Sequence, residues 1–153
     1  MHNMHKWFRM AALSAALIAS MGQAAFAADR LSDKTVAFIP KLTGNAFFES
    51  ANAGAQSYAK EVGFTVEYMG SPNASVADEV NVVNQAVSRG VDAICISSVD
   101  ATGLDKALAD AIKEGVTVVT WDSDVTETSR TLMVSQGTPD ILGKMLVDMG
   151  VDA

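Results

Sequence analysis

The chain has 153 residues, of which 18 are acidic and 11 are basic, giving a formal net charge of −7. This acidic balance disfavours nucleic acid and anionic membrane surfaces as partners, because both require basic side chains that neutralise phosphates. Both histidines, His2 and His5, lie in a segment that we expect to be removed. The remaining chain then has no histidine for a Ser-His-Asp, Cys-His or zinc site, and we predict neither a catalytic residue nor a metal ligand.

The first 27 residues are predicted to form an export signal. Lys6 and Arg9 precede an apolar run over residues 10–21, and Ala25-Phe26-Ala27 matches the A-x-A cleavage pattern. The run is too short to span a bilayer stably. We expect cleavage after Ala27, a periplasmic product, and no direct insertion of that product into the membrane.

From residue 35 onward, apolar strands alternate with amphipathic helices. Strands are predicted at residues 36–39, 64–68, 93–97, 116–120 and 131–134, and helices at 45–61, 75–90, 102–115 and 139–149. Glycine ends a helix and leads directly into a strand at Gly63-Phe64, Gly90-Val91 and Gly115-Val116. This alternation predicts an α/β fold, with a doubly wound parallel sheet and helices on both faces. The glycine patterns of dinucleotide-binding and phosphate-binding loops are absent from the sequence, so we predict no cofactor.

Polar residues follow several of the predicted strands. Lys41 comes after the first strand, Asp100 after the third, and Asp122 and Asp124 after the fourth. Open α/β sheets bind their ligands outside the carboxyl ends of the strands. We therefore expect a binding site at this edge, with Asp100 better suited to capping the following helix.

Two stretches at this edge carry a family resemblance, which residues 135–139 and 143–149 extend. The stretches are Ile39-Pro40-Lys41-Leu42-Thr43-Gly44 with Phe47-Phe48, and Thr120-Trp121-Asp122-Ser123-Asp124. They resemble the periplasmic solute-binding proteins of ABC importers, ribose-binding type (type I). Within that group the chain is most similar to the autoinducer-2-binding and rhamnose-binding proteins.

The resemblance implies two α/β lobes that hold a ligand in the cleft between them, each with a flavodoxin-like strand order 2-1-3-4-5. Residues 28–130 would form the N-terminal lobe, and residues 131–153 would be the crossover and the first helix of an incomplete second lobe. Members of the family are about twice as long as this chain, so we expect a truncated product or a fragment. The family also implies a non-enzymatic protein that is monomeric when full length and has the membrane subunits of an importer as partners.

The resemblance also implies which residues contact the ligand. Lys41 and Asp122 match ligand-contacting residues of the family, and they suit a polyol because an ammonium donates to hydroxyls and a carboxylate accepts from them. Phe47 and Phe48 match paired phenylalanines that cover a sugar face, and we expect one ring to contact ligand and the other to pack in the core. Trp121 could serve as core or cleft wall. Asp124 could face the cleft or the hinge.

The predicted function is the binding of a small polyhydroxylated ligand, autoinducer-2 or a monosaccharide such as rhamnose, for import from the periplasm. For each candidate residue a structural role remains open: a solvated lysine, a turn aspartate or a packed aromatic ring. An exported glycosidase that uses two carboxylates needs no histidine and stays an alternative. The second alternative is a non-functional fragment of the binding protein.

Overall fold

The computed structural model describes residues 31–152. The strands are β1 (Thr35–Ile39), β2 (Thr65–Tyr68), β3 (Ala93–Ile96), β4 (Thr117–Trp121) and β5 (Leu132–Val134). The helices are α1 (Ala46–Val62), α2 (Val76–Ser88), α3 (Asp105–Lys113) and α4 (Pro139–Val151), with a 3-10 turn at Glu127–Ser129. The predicted leader and its cleavage site after Ala27 lie outside the described residues.

The strands form one parallel sheet in the order β2-β1-β3-β4-β5. The predicted α/β class and strand order are therefore confirmed. Residues 132–134, which the sequence assigns to the crossover, supply the edge strand beside β4. The division into lobes stays a prediction.

Helices lie on both faces of the sheet. Side chains alternate along each strand, so odd-numbered and even-numbered residues of β1 point to opposite faces. On one face, α2 and α3 cover a closed apolar core that includes Ala37, Ile39, Val83, Ile94, Ile96, Leu104, Leu108 and Val118. On the other face, α1 brings Phe48 against Trp121, which in turn stacks on Phe38 of β1. The carboxyl ends of β1, β3 and β4 therefore meet at one edge.

Local hydrogen bonds fix where the helices begin. Asn45 accepts from the backbone N–H of Phe47 at 2.9 Å, and Ser75 accepts from that of Asp78 at 3.1 Å, as expected of N-cap residues. Helix α3 begins at Asp105, later than the predicted position near Thr102. The reason is Asp100, whose Oδ1 accepts from the N–H groups of Thr102 and Gly103 at 2.9 and 2.7 Å and holds residues 100–103 in a turn.

The last helix, α4, lies outside the core. None of its residues is buried, and its exposed apolar side chains are Ile141, Leu142, Met145, Leu146, Val147, Met149 and Val151. Thr138 caps it, with Pro139 in the first turn. Within residues 31–152, no helix has the length and hydropathy needed to cross a membrane.

Candidate ligand-binding site

Lys41 and Asp122 meet at the carboxyl edge of the sheet. Pro40, which is buried, stops β1 and sends the chain outward at Lys41. The Lys41 Nζ lies 3.6 Å from Asp122 Oδ2, and the two side chains are 30% and 23% exposed. This separation is an ion-pair distance rather than a hydrogen bond, so the ammonium keeps its donors available for a third group.

Asp122 has an unusual backbone conformation. It has φ 60°, and it is the only non-glycine residue with positive φ in the part of the chain that the structure describes. The N–H of Ser123 donates to the Trp121 carbonyl at 2.6 Å across it. This is the hydrogen bond of a three-residue γ-turn, whose positive-φ form is rare and strained. Such strain concentrates at functional sites, where the surrounding structure maintains it.

Ser97 joins this pair and was not among the predicted site residues. It follows β3, which lies between β1 and β4, and it is fully buried. Its Oγ–H donates to Asp122 Oδ2 at 2.8 Å, so the oxygen that faces Lys41 already holds one proton donor. The strand order was the signal that could have found Ser97, because the residue after β3 must lie between those after β1 and β4.

Aromatic rings form a wall beside the charged pair. Phe47 is 50% exposed, whereas Phe48 is 6% exposed. Trp121 stacks on Phe47 with ring centroids 6.3 Å apart, and it contacts Phe48 edge to face at 5.7 Å. The two phenylalanines therefore differ in accessibility, and Phe47 is the ring that presents a face to solvent. Trp121 is partly buried, and its Nε1 has no hydrogen-bond partner among residues 31–152.

Asp124 lies in a separate cluster. Its Oδ1 accepts from Arg130 Nε at 2.7 Å and from Thr120 Oγ at 2.5 Å. Burial raises the pKa of Asp124, but the hydrogen bonds from Arg130, Thr120 and Val125 outweigh it and lower the pKa overall. The structure therefore places Asp124 in the connection between β4 and β5, as a partner of Arg130.

Glu49 fixes the loop that carries Lys41. Its Oε1 accepts from the Gly44 N–H at 2.9 Å and from the Tyr68 hydroxyl at 3.0 Å. Burial, together with this carboxylate, raises the pKa of Tyr68 to about 12. Glu49 lies in the first turn of α1, where an acidic side chain favours the helix dipole, and these two hydrogen bonds make it a clamp on the loop as well. The loop between β1 and α1 is thereby tied to the end of β2.

Glu79, in the first turn of α2, is a buried carboxyl group beside the site. It is 4% exposed, and its Oε2 accepts from the Val99 N–H at 2.9 Å. Burial raises its pKa to about 7, and the Val99 N–H and the positive charge of Lys41 limit that rise. The sequence pattern of α2 gives no sign that this acid is buried.

The site offers a set of donors and acceptors to a small polar molecule. Lys41 supplies ammonium donors, Asp122 supplies a carboxylate oxygen, and Phe47 supplies an apolar face. Among residues 31–152, no cluster of three or more histidine, cysteine or acidic side chains is arranged to hold a metal ion. The fold is an open parallel α/β sheet, with charged and aromatic side chains gathered at the carboxyl edge where such sheets bind ligands.

Residues 36–153 match the family model described as the periplasmic binding protein domain. The chain therefore belongs to this family. The predicted resemblance is confirmed at the level of the family.

Solved structures of sugar and autoinducer-2-binding proteins are similar to this chain. LsrB from Clostridium saccharobutylicum in complex with AI-2 has 63% sequence identity and a TM-score of 0.75, covering 77% of this chain and 36% of that chain. An ABC transporter solute-binding protein from Clostridium phytofermentas with bound L-rhamnose has 27% identity and a TM-score of 0.72, covering 80% and 38%.

Among curated proteins, the ribose import binding protein RbsB of Escherichia coli K12 is 27% identical over 104 residues, which is 68% of this chain and 35% of that protein. The chain thus spans between 22% and 35% of the length of the curated relatives that it matches.

Proposed function

We propose that this chain is the N-terminal lobe of an exported solute-binding protein that binds a small polyhydroxylated ligand for an ABC importer. The ligand is autoinducer-2 or a monosaccharide such as rhamnose, and it is bound without being converted. The membrane subunits of the importer are the protein partners, and the full-length binding protein is a monomer. The protein is exported to the periplasm, and its leader is cleaved after Ala27.

The observation that carries this proposal is the Lys41–Asp122 pair. Both groups are charged, partly exposed and 3.6 Å apart at the sheet edge where α/β folds bind ligands. A hydroxyl can donate to a carboxylate and accept from an ammonium, so one diol can satisfy both groups at once. The half-exposed Phe47 ring beside them suits the C–H face of a sugar. Similarity to AI-2-bound and rhamnose-bound proteins agrees with this chemistry.

A direct test is an NMR titration of the ¹⁵N-labelled chain with autoinducer-2 and with L-rhamnose. For this lobe by itself we expect weak binding, with a Kd of about 1 mM or above, which corresponds to about −4 kcal/mol. The amide shifts of residues 41–47 and 97–99 and of Asp122 should move. An equal concentration of a sugar lacking vicinal hydroxyls is the matched ligand control. Shifts confined to residues outside this sheet edge, or no shifts with either ligand, would contradict the proposal.

A two-lobe chimera should bind autoinducer-2 tightly enough for its affinity to be measured. Residues 31–152 of this chain replace the corresponding part of LsrB from Clostridium saccharobutylicum, and calorimetry compares the chimera with the intact relative. We expect stoichiometric binding of autoinducer-2 and recovery of the ligand unchanged. Release of the aglycone from a chromogenic rhamnoside, which carries the glycosidic bond that autoinducer-2 lacks, would instead support the glycosidase alternative. Mass spectrometry of the exported product should find Ala28 at its N-terminus.

A further inference from the structure

Glu79 occupies a position where an apolar residue would be the less costly choice. It lies on the inner side of α2 with Val82 and Val83, and it is 4% exposed. Only one of its oxygens is used, because Oε1 is buried without a hydrogen-bond partner among residues 31–152. Burying a carboxyl group with half of its hydrogen-bonding capacity unmet is costly. The hydrogen bond from the Val99 N–H to Oε2 is therefore the polar contact through which Glu79 can stabilise the surrounding structure.

Val99 belongs to the turn that follows β3, and this turn holds the Asp122 segment in two places. The Ser97 hydroxyl donates to Asp122 Oδ2 at 2.8 Å, and the Ser98 N–H donates to the Ser123 carbonyl at 3.2 Å. Ser97 and Ser98 are both buried. The turn therefore connects the Glu79 carboxyl to the carboxylate of the site.

Asp122 depends on such external support. Its backbone lies at φ 60°, a region that non-glycine residues adopt rarely, and only the turn from Trp121 to Ser123 closes around it. The direction of its carboxylate is set by Ser97 and by the charge of Lys41. A shift of the Ser97 hydroxyl would therefore turn the ligand-facing carboxylate.

We infer that Glu79 is a positioning residue of the ligand site: its carboxyl oxygen anchors the Val99 N–H and thereby fixes the turn that aims Ser97 at Asp122. The inference rests on the proposed function for its effect on affinity. It does not need a negative charge at position 79, only an acceptor oxygen at the reach of a glutamate side chain.

Two substitutions separate reach from charge. Glu79→Gln keeps an acceptor oxygen at the same distance and removes the charge, whereas Glu79→Asp keeps the charge and withdraws the oxygen by one methylene. In the full chain titrated with autoinducer-2, Glu79→Asp should weaken binding by about three- to tenfold, as expected for the loss of roughly one hydrogen bond. Glu79→Gln should bind as the wild type does. The opposite order would overturn the inference.

Val83→Ala is the control for general destabilisation, because Val83 is a fully buried neighbour on the same helix. It should lower the melting temperature and leave affinity unchanged. Glu79→Asp and Ser97→Ala should be non-additive in a double-mutant cycle, since both act through one turn. Additive effects, or a Glu79→Asp variant that differs from the wild type only in melting temperature, would refute the positioning role.

A readout without ligand keeps this test independent of the proposed function. Hydrogen exchange of the Val99 amide should become faster in Glu79→Asp, and the carbonyl-carbon shift of the Asp122 side chain should move. Neither should change in Val83→Ala. If the wild type binds no sugar but both signals respond, the proposed function fails and the positioning role stands. If neither signal responds, the positioning role is wrong whatever the ligand.

Discussion

The buried Glu79 carboxyl should make the stability of this lobe depend on pH in an unusual direction. Burial raises its pKa from an ordinary value of 4.5 to about 7. In the unfolded chain the group loses its proton near pH 4.5, whereas in the folded chain it keeps the proton until about pH 7. The folded state therefore binds more protons than the unfolded state in this interval, and the free energy of unfolding must fall as pH rises through it.

The size of the effect follows from the same two values. Each pKa unit is worth about 1.4 kcal/mol, so the rise in Glu79 corresponds to roughly 3 kcal/mol at most. The penalty is absent below pH 4.5, develops between there and about pH 7, and is complete above that. Glu79→Gln removes the titration and keeps an acceptor for Val99. The free energy of unfolding of Glu79→Gln minus that of the wild type should therefore increase by up to about 3 kcal/mol as the pH rises from 4.5 to 8.

Urea unfolding of the purified chain at several pH values, followed by circular dichroism, measures this difference. Glu61→Gln is the matched control, because it removes the same charge from an exposed position on α1. Any pH dependence that this control shares is subtracted as an effect of net charge. If the stability difference between Glu79→Gln and the wild type is constant from pH 4.5 to 8, Glu79 is not buried as described and the reasoning fails.

Three further outcomes are expected. Lys41→Ala in the two-lobe chimera should weaken autoinducer-2 binding by roughly ten- to a hundredfold in calorimetry, since a hydrogen bond to a charged group contributes about 1.5–3 kcal/mol. An unchanged Kd would exclude Lys41 from the site. The free energy of unfolding of Asp122→Asn, measured in urea, should lie within about 0.5 kcal/mol of the wild-type value, because asparagine tolerates positive φ and still accepts from Ser97. That of Asp122→Ala should be lower than the wild-type value by at least about 1 kcal/mol. Equal losses in the two variants would contradict this. A chain ending at Gly137 keeps β5 but lacks the exposed apolar face of α4, so light scattering should find less self-association than in the 153-residue chain. Equal or greater association would show that this face does not cause the self-association.

The elements of the fold were predictable because the local signals agree with one another. Asn45 and Ser75 cap the helices that the sequence assigns to them, and Gly63 ends α1 in a left-handed conformation. The sequence predicts too early a start for α3, because Asp100 has the pattern of a helix cap, whereas in the structure it is the centre of a turn that delays the helix. Strand β5 was predicted from its apolar residues, but its pairing with β4 depends on contacts that sequence periodicity does not contain.

The site was less predictable than the fold. Lys41 and Asp122 could be proposed from their positions after strands, but their 3.6 Å separation depends on the order of β1, β3 and β4. Nothing in the sequence neighbours of Asp122 reveals its positive φ. Glu79 lies beside Asp78 in the first turn of α2, where exposed acidic residues are common, so the sequence gives no reason to predict that its side chain is buried.

In the proposed site, the charged pair favours a neutral ligand. An anionic ligand would gain from Lys41 but would meet the Asp122 carboxylate at 3.6 Å from the same ammonium, on a chain of net charge −7. A cationic ligand would be repelled by Lys41 in the same way. A hydroxyl group has no charge to be repelled, and its dipole can satisfy the ammonium and the carboxylate together. In the proposed site, charge neutrality within the pair would therefore select for hydroxyl number and geometry, and the Phe47 face would add a requirement for an apolar side of the ligand.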